Sequence, residues 1–442
     1  MSRTRIKVDT ADLDLGMYVA QLDRSWLETP FLFQGFVVRE ASEIDQLRHY
    51  CRHVYVDVVR NSLSAEEIEA RIKSLSEPAL LKKAPGQSAR AKRPSLLRRV
   101  AEQAARVDPT GRLEERLSGL HRYKTKTRTR QEAPKAAQSY NQAVQIINTV
   151  LEQVRDGRAV DVEIVREAVS PMIDSVLRNP DAMSWFVTLQ KQDDYTYHHS
   201  IASSVWAVVL GRHLGFDRRS LDKLAIGGML LDVGKARISS DLLQKPDRLS
   251  PHEVDLLCQH VDFSLDMVQS SPGISRDILD MIASHHERHD GSGYPQGLAG
   301  ADIPVYGRIA GIVDCYDAMV STRPYAAARS GYDAIRELNK LAGSHFQREL
   351  VEQFVQALGM FPTGSLVELN TGEVGIVIEQ NRVRRLRPKV MLLLDDAKQA
   401  ITRNVTLDLR KVPGEAGDPK ARWIDRGHEP GAFGIDPKDY FM

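Results

Sequence analysis

From about Ala137 to Phe361 the apolar positions recur every three or four residues and almost never alternate. Ala143, Val144, Ile146, Ile147, Val150 and Leu151 fall at helical spacing, as do Ile164, Val165, Ala168, Val169, Met172, Ile173, Val176 and Leu177. Gly, Pro and Asp turns separate such runs, so the pattern predicts an all-helical domain over 137–362. The two ends read differently. Short apolar stretches at 18–22, 33–38 and 53–58, around an amphipathic helix at 42–51, predict a small α/β module over 1–65. Three strands and one helix bury little by themselves, so this module is expected to pack on a neighbour. Strand-like runs at 365–369, 374–378 and 390–394, with a further one near 405–407, predict a small antiparallel β extension over 363–412. Gly and Pro dominate 413–442, which predicts an irregular tail. The fold class is therefore mainly α, with small modules at either end.

Composition changes this picture at one place. The chain of 442 residues has a net charge of +1, yet Lys82–Arg130 alone holds 15 Lys/Arg against 4 Asp/Glu, a net +11. The remainder then sums to about −10, and residues 66–136 read as a basic linker, partly helical (64–76 and 96–106) or disordered. Such a segment could be drawn to nucleic acid or anionic lipid. Without a pattern of interleaved aromatics it reads better as a solvated linker, and no stable nucleic-acid binding is expected. No apolar run approaches the ~20 residues of a membrane span, and the first residues lead into no apolar signal core. Three cysteines, Cys51, Cys258 and Cys315, lie far apart and fit buried, reduced thiols in the cytoplasm.

The helical region carries the chemistry. His285 and His286 end an apolar helical run and are followed by Glu287, Arg288, His289, Asp290 and a Gly-Ser-Gly-Tyr-Pro turn ending at Pro295. Neighbouring helical residues point about 100° apart, so two adjacent imidazoles chelate one ion poorly but can serve two neighbouring ions. Alone the pair reads equally as a solvated helix end. Further histidines and carboxylates lie on separate helical stretches: His199, Asp232, His260 and Asp314. Asp232 and Asp314 sit in apolar surroundings, where an unpaired carboxylate is costly and two converging ones repel. A proton, a basic residue or a metal ion must neutralise them. Imidazoles with carboxylates suit Fe or Mn better than Mg or Ca.

From about Asp193 to Phe354 the sequence resembles the HD-GYP family of cyclic-di-GMP phosphodiesterases, a branch of the HD metal-dependent phosphohydrolases. The residues carrying the resemblance are Tyr195-Thr196-Tyr197-x-His199-Ser200, Asp232-x-Gly234-Lys235, Lys245-Pro246, His260, the whole run from His285 to Pro295, Arg308-Ile309, Asp314-x-Tyr316-Asp317-Ala318 and Arg323-Pro324-Tyr325. The stretch near Gly364–Val367 resembles an extension that often follows this domain, and the first 60 residues a module that often precedes it. The resemblance implies a first metal on His199, Asp232 and Asp314, and a second on His260, His285 and His286 with Asp232 bridging. It also implies Lys235 as a group assisting the phosphate or the leaving oxygen. Two such ions would lower the pKa of a bridging water from 15.7 toward ~7 and bind the oxygens that gain charge.

Further roles follow from the same resemblance. Arg288 and Asp290 are expected to pair and hold the Gly-Tyr-Pro loop. Tyr294 is expected to line the nucleotide site or an interface for a diguanylate cyclase domain. Lys245, Arg308 and Arg323 are candidate phosphate contacts, with structural salt bridges the alternative for the two arginines. A homodimer is an open expectation. Three departures stand out. The position before Asp232 is Leu231 where the family has the His of its His-Asp dyad, which removes one ligand from the first metal. Tyr195 stands where a third metal would want a carboxylate, so two ions are the expected maximum. Ala326 stands where a basic residue often follows the Arg-Pro-Tyr motif. The chain is thus expected to be a cyclic-di-GMP phosphodiesterase, its activity lowered by Leu231, or else a catalytically silent receptor or interaction scaffold.

Overall fold

The computed structural model describes residues 5–23, 36–38, 41–57, 123–189, 195–322, 327–381, 384–413, 420–435 and 440. The expected helices at 64–76 and 96–106, most of the basic segment, Arg323 and Ala326 lie outside the described residues. By compactness the chain divides into two units, 1–93 and 94–442.

The first unit is a four-stranded antiparallel sheet with one helix. Strands β1 (Arg5–Asp9), β2 (Tyr18–Leu22), β3 (Phe36–Val37) and β4 (His53–Asp57) lie in the order β1-β4-β2-β3, and α1 spans Ala41–Tyr50. Alternate residues Val54 and Val56, and Val19 and Leu22 brought to the same face by a bulge between Val19 and Gln21, turn inward with Met17, Leu47 and Cys51 to make the core. Three strands were expected. The fourth, β1, has only Ile6 and Val8 as apolar positions and is fixed by pairing along the whole of β4.

The second unit is mainly α. Its helices are α2 (Thr129–Arg155), α3 (Val162–Arg178), α4 (Pro180–Leu189), α5 (Tyr195–Leu214), α6 (Arg218–Leu230), α7 (Ser240–Leu243), α8 (Pro251–Cys258), α9 (His260–Val268), α10 (Arg276–Ser284), α11 (Val305–Val320), α12 (Gly331–Leu341) and α13 (Arg348–Leu358). Helix α2 begins inside the stretch read as linker, and Pro134 in its second turn removes one backbone hydrogen bond, the one to the Arg130 carbonyl. Helix α5 is buried on every side from Ile201 to Leu210, and α2, α3, α4, α6, α11 and α13 all pack on it. It is the axis of the domain. Among the described residues no helix is long and apolar enough to cross a membrane.

The β extension is a five-stranded antiparallel sheet: β5 (Leu366–Leu369), β6 (Val374–Glu379), β7 (Lys389–Leu394), β8 (Ala400–Asp408) and β9 (Ile424–His428), in the order β8-β7-β6-β5-β9. Its inner face closes over Trp185 and Leu189 of α4. The tail expected to be irregular therefore supplies an edge strand. The sequence Ile424-Asp-Arg-Gly-His428 lacks apolar alternation because only Ile424 is buried, and backbone pairing with β5 places the rest. Of the three cysteines, Cys51 is buried while Cys258 and Cys315 are half-buried, and all are free thiols.

Candidate metal centre

Four helix ends and one helix middle deliver the ligand-bearing side chains. His199 lies in the first turns of α5, and Asp314 in the middle of α11, which packs beside it. Asp232 follows the end of α6 and begins a 3-10 turn, Val233–Arg237. That turn is pinned to α9: Ser264 Oγ accepts from Gly234 N at 2.8 Å and donates to the Leu231 carbonyl at 3.0 Å. A Cβ on Gly234 would lie 2.2 Å from the His260 carbonyl, so only glycine permits this approach. His260 opens α9, and His285 and His286 follow the last residue of α10.

Two groups of ligand atoms result, each with all its atoms within 4.8 Å of one another: Asp232, His260, His285 and His286, and His199, Asp232 and Asp314. Asp232 belongs to both. In the first group His260 Nε2 lies 3.2 Å from Asp232 Oδ1, 3.4 Å from His285 Nε2 and 3.2 Å from His286 Nε2. In the second, His199 Nε2 lies 3.3 Å from Asp232 Oδ2 and 3.0 Å from Asp314 Oδ1.

The tautomers follow from the partners. His260 Nδ1 and His285 Nδ1 each lie 2.7 Å from a backbone carbonyl one turn back, those of Leu257 and Ile282. A carbonyl only accepts, so both Nδ1 atoms carry the proton, and each ring in its neutral form presents an Nε2 lone pair inward. Burial, with His260 adding to it, holds the His285 imidazolium pKa down at about 4, against the opposing pull of Asp232 and Asp314. Burial and His285 lower His286 as well. Burial opposes ionisation of Asp232, but the Lys235 ammonium beside it holds it ionised. Asp232 Oδ1 is buried and has no hydrogen-bond partner. Neutral nitrogen lone pairs facing a buried, unsatisfied carboxylate oxygen repel unless a cation stands among them. The residues fit divalent metal ions, and the mixed N/O donors suit first-row ions.

The other expected site residues fall in several places. Lys235 Nζ donates to Asp232 Oδ2 at 2.5 Å and stays partly exposed at the rim. The Tyr294 ring stacks on His286, with centroids 4.6 Å apart, and its amide donates to the His286 carbonyl at 3.3 Å. Arg288 donates to the carbonyls of His285 and Glu287 and covers the Phe346 ring, so it neutralises the end of α10 rather than pairing with Asp290. Asp290 instead accepts from Ser292. The ammonium of Lys245 is taken by Glu253, at 2.7 and 2.9 Å, and buried Arg308 donates to Gln347 at 2.8 Å. His198, beside His199, bonds through Nδ1 to the Tyr140 hydroxyl.

Glu287 was given no role from sequence, yet its carboxylate holds the loop by accepting from Gln296 N at 2.8 Å and Leu298 N at 2.9 Å. Its place directly after the ligand pair and before a Gly-rich turn was the available signal. Glu287→Ala leaves two amides without an acceptor and should lower unfolding free energy by about 1–3 kcal/mol. Chemical denaturation measures this, and an unchanged midpoint would show that the loop is held elsewhere. Gly293 completes the turn: a Cβ there would lie 2.4 Å from Arg288 N.

The chain contains three matched regions: residues 5–165 match a domain of unknown function (DUF3391), 181–350 the HD domain, and 366–413 a KOW domain associated with the HD domain. The HD match spans every residue of the two ligand groups.

Residues 181–350 therefore form an HD domain.

The chain is 29% identical over 408 residues to the cyclic di-GMP phosphodiesterase PA4108 of Pseudomonas aeruginosa, covering 92% of this chain and 89% of that one. It is 32% identical over 166 residues to a cyclic di-GMP phosphodiesterase of Thermotoga maritima, over 37% of this chain and 45% of the relative. A 3'3'-cGAMP-specific phosphodiesterase 2 of Vibrio cholerae is 34% identical over 143 residues, 32% of this chain and 27% of the relative. The chain thus spans most of the first relative and less than half of the other two. Bd1817, a HDG"Y"P protein from Bdellovibrio bacteriovorus, is similar at 16% identity and a TM-score of 0.42, over 79% of this chain and 98% of that one, a likeness too slight to bear on the site.

Proposed function

We propose that this protein hydrolyses the 3',5'-phosphodiester of cyclic di-GMP using two divalent ions, Fe or Mn. One ion would be held by His260, His285, His286 and Asp232, the other by His199, Asp314 and the same Asp232. The observation that carries this reading is the buried convergence of four imidazoles and two carboxylates in which Nε2 lone pairs face one another. The relatives PA4108 and the Thermotoga maritima enzyme support cyclic di-GMP as the substrate. Bound ions of this kind supply a nucleophile at neutral pH and neutralise phosphate charge.

The chain's own groups do the rest. The carbonyls of Leu257 and Ile282 fix two imidazoles with lone pairs inward. Asp232 bridges the two ligand groups, and Lys235 at the rim places a positive charge where a phosphate or a leaving oxygen would sit. Tyr294, stacked on His286, offers an aromatic face to a guanine base. Exposed Pro295, Gln296 and Gly297 at the loop tip are where a diguanylate cyclase domain would dock. A second reading, a nucleotide receptor without turnover, is favoured by one residue, Leu231, which is 2% exposed and offers no lone pair.

Purified protein stripped of metal should be inactive and, after anaerobic loading with Fe(II) or Mn(II), should convert cyclic di-GMP to a linear or fully hydrolysed product. Assayed alongside it, 3'3'-cGAMP should turn over more slowly. Two bound ions without loss of cyclic di-GMP would overturn the enzymatic reading and leave the receptor. Faster turnover of cGAMP would move the substrate assignment.

A further inference from the structure

Asp317 lies three residues after Asp314 on α11, so both carboxylates stand on one helix face, toward α5. They flank the His199 ring at opposite nitrogens: Asp314 Oδ1 is 3.0 Å from Nε2 and Asp317 Oδ2 is 2.8 Å from Nδ1. Asp317 is 1% exposed and is itself fixed, accepting from the Trp206 indole N–H at 3.3 Å and from the Ser321 hydroxyl at 3.3 Å. A buried carboxylate so held keeps a hydrogen on Nδ1 and leaves the Nε2 lone pair directed at Asp232 and Asp314.

We infer that Asp317 is a positioning residue that sets the metal affinity of the His199, Asp232 and Asp314 group, where Leu231 supplies no ligand. This rests on the two-ion reading above. That group has one nitrogen donor, whereas the other has three, so the basicity and orientation of His199 decide whether it holds an ion at all. A hydrogen bond from the far nitrogen to an ionised carboxylate raises the donor strength of the near nitrogen and fixes the ring.

The test is a calorimetric titration of metal-free full-length protein with Mn(II). Wild type should take up two equivalents, one tightly and one weakly. In Asp317→Asn the side-chain amide can donate to Nδ1 and move the proton to Nε2. The weaker class should then lose about 10–100-fold in affinity while the tighter class is unchanged. Excess Mn(II) should recover its occupancy. Where Asp317→Asn is too unstable to titrate, Trp206→Phe removes one donor to the same carboxylate and should weaken the same class by less. Two equivalents in wild type with the weaker class unmoved by the variants, or with both classes falling together, would overturn the role of Asp317 alone. Fewer than two equivalents in wild type would overturn the two-ion reading and this inference with it.

Discussion

Asp232→Asn should abolish both turnover and metal retention. Asp232 is the one residue common to the two ligand groups, its Oδ1 facing His260 and His285 and its Oδ2 facing His199 and Lys235. An amide in its place removes a negative charge from both groups at once and leaves the Lys235 ammonium without its counter-ion. Losing even a group that only supports a ligand commonly costs ~10–100-fold in metal affinity or activity, and losing a shared ligand should exceed that in each group. The expected result is activity below detection and less than one equivalent of metal after dialysis, with helical content retained by circular dichroism. Retention of two equivalents by a folded Asp232→Asn protein would show that the ions sit elsewhere.

Leu231→His should have the opposite effect. Leu231 is buried directly before Asp232, at the end of α6, and its carbonyl is held by Ser264. His and Leu are close in volume, so the site can take the ring with little repacking. The change restores the dyad of the HD-GYP family and adds a nitrogen ligand beside a group that has only His199, Asp232 and Asp314. Affinity for the weaker ion should rise about 10–100-fold, and activity at limiting metal with it. The readout is the Mn(II) concentration giving half-maximal turnover. If that concentration does not move, the position before Asp232 does not face the metal in this chain, and Leu231 is no handicap.

Much of this was legible in the sequence, for identifiable reasons. Helices α2 and α3 follow from the 3.6-residue periodicity of two runs, 143–151 and 164–177. The convergence of these histidines and carboxylates was legible because such groups in apolar helices demand a common neutraliser, and the family resemblance gave their grouping. Strand β9 was not legible, because an edge strand placed by its backbone carries no side-chain pattern. Lys245 and Arg308 read as phosphate contacts by charge, but the folded chain gives each a partner, Glu253 and Gln347, that distance along the sequence conceals. Arg288 was expected on Asp290, two residues away, yet the carbonyls of His285 and Glu287 in the turn after α10 take its guanidinium. Asp317 was visible in a different sense. Its spacing of three from Asp314 puts both carboxylates on one face, but only the arrival of His199 between them gives that spacing a purpose.

The most direct test of the central claim is to follow cyclic di-GMP hydrolysis while metal-free protein is titrated anaerobically with Mn(II), counting bound ions at each step. Two unequal sites sharing Asp232 predict little turnover through the first equivalent, which fills the three-histidine group, and hydrolysis rising with the second. Full activity at one equivalent, or none at two, would contradict it.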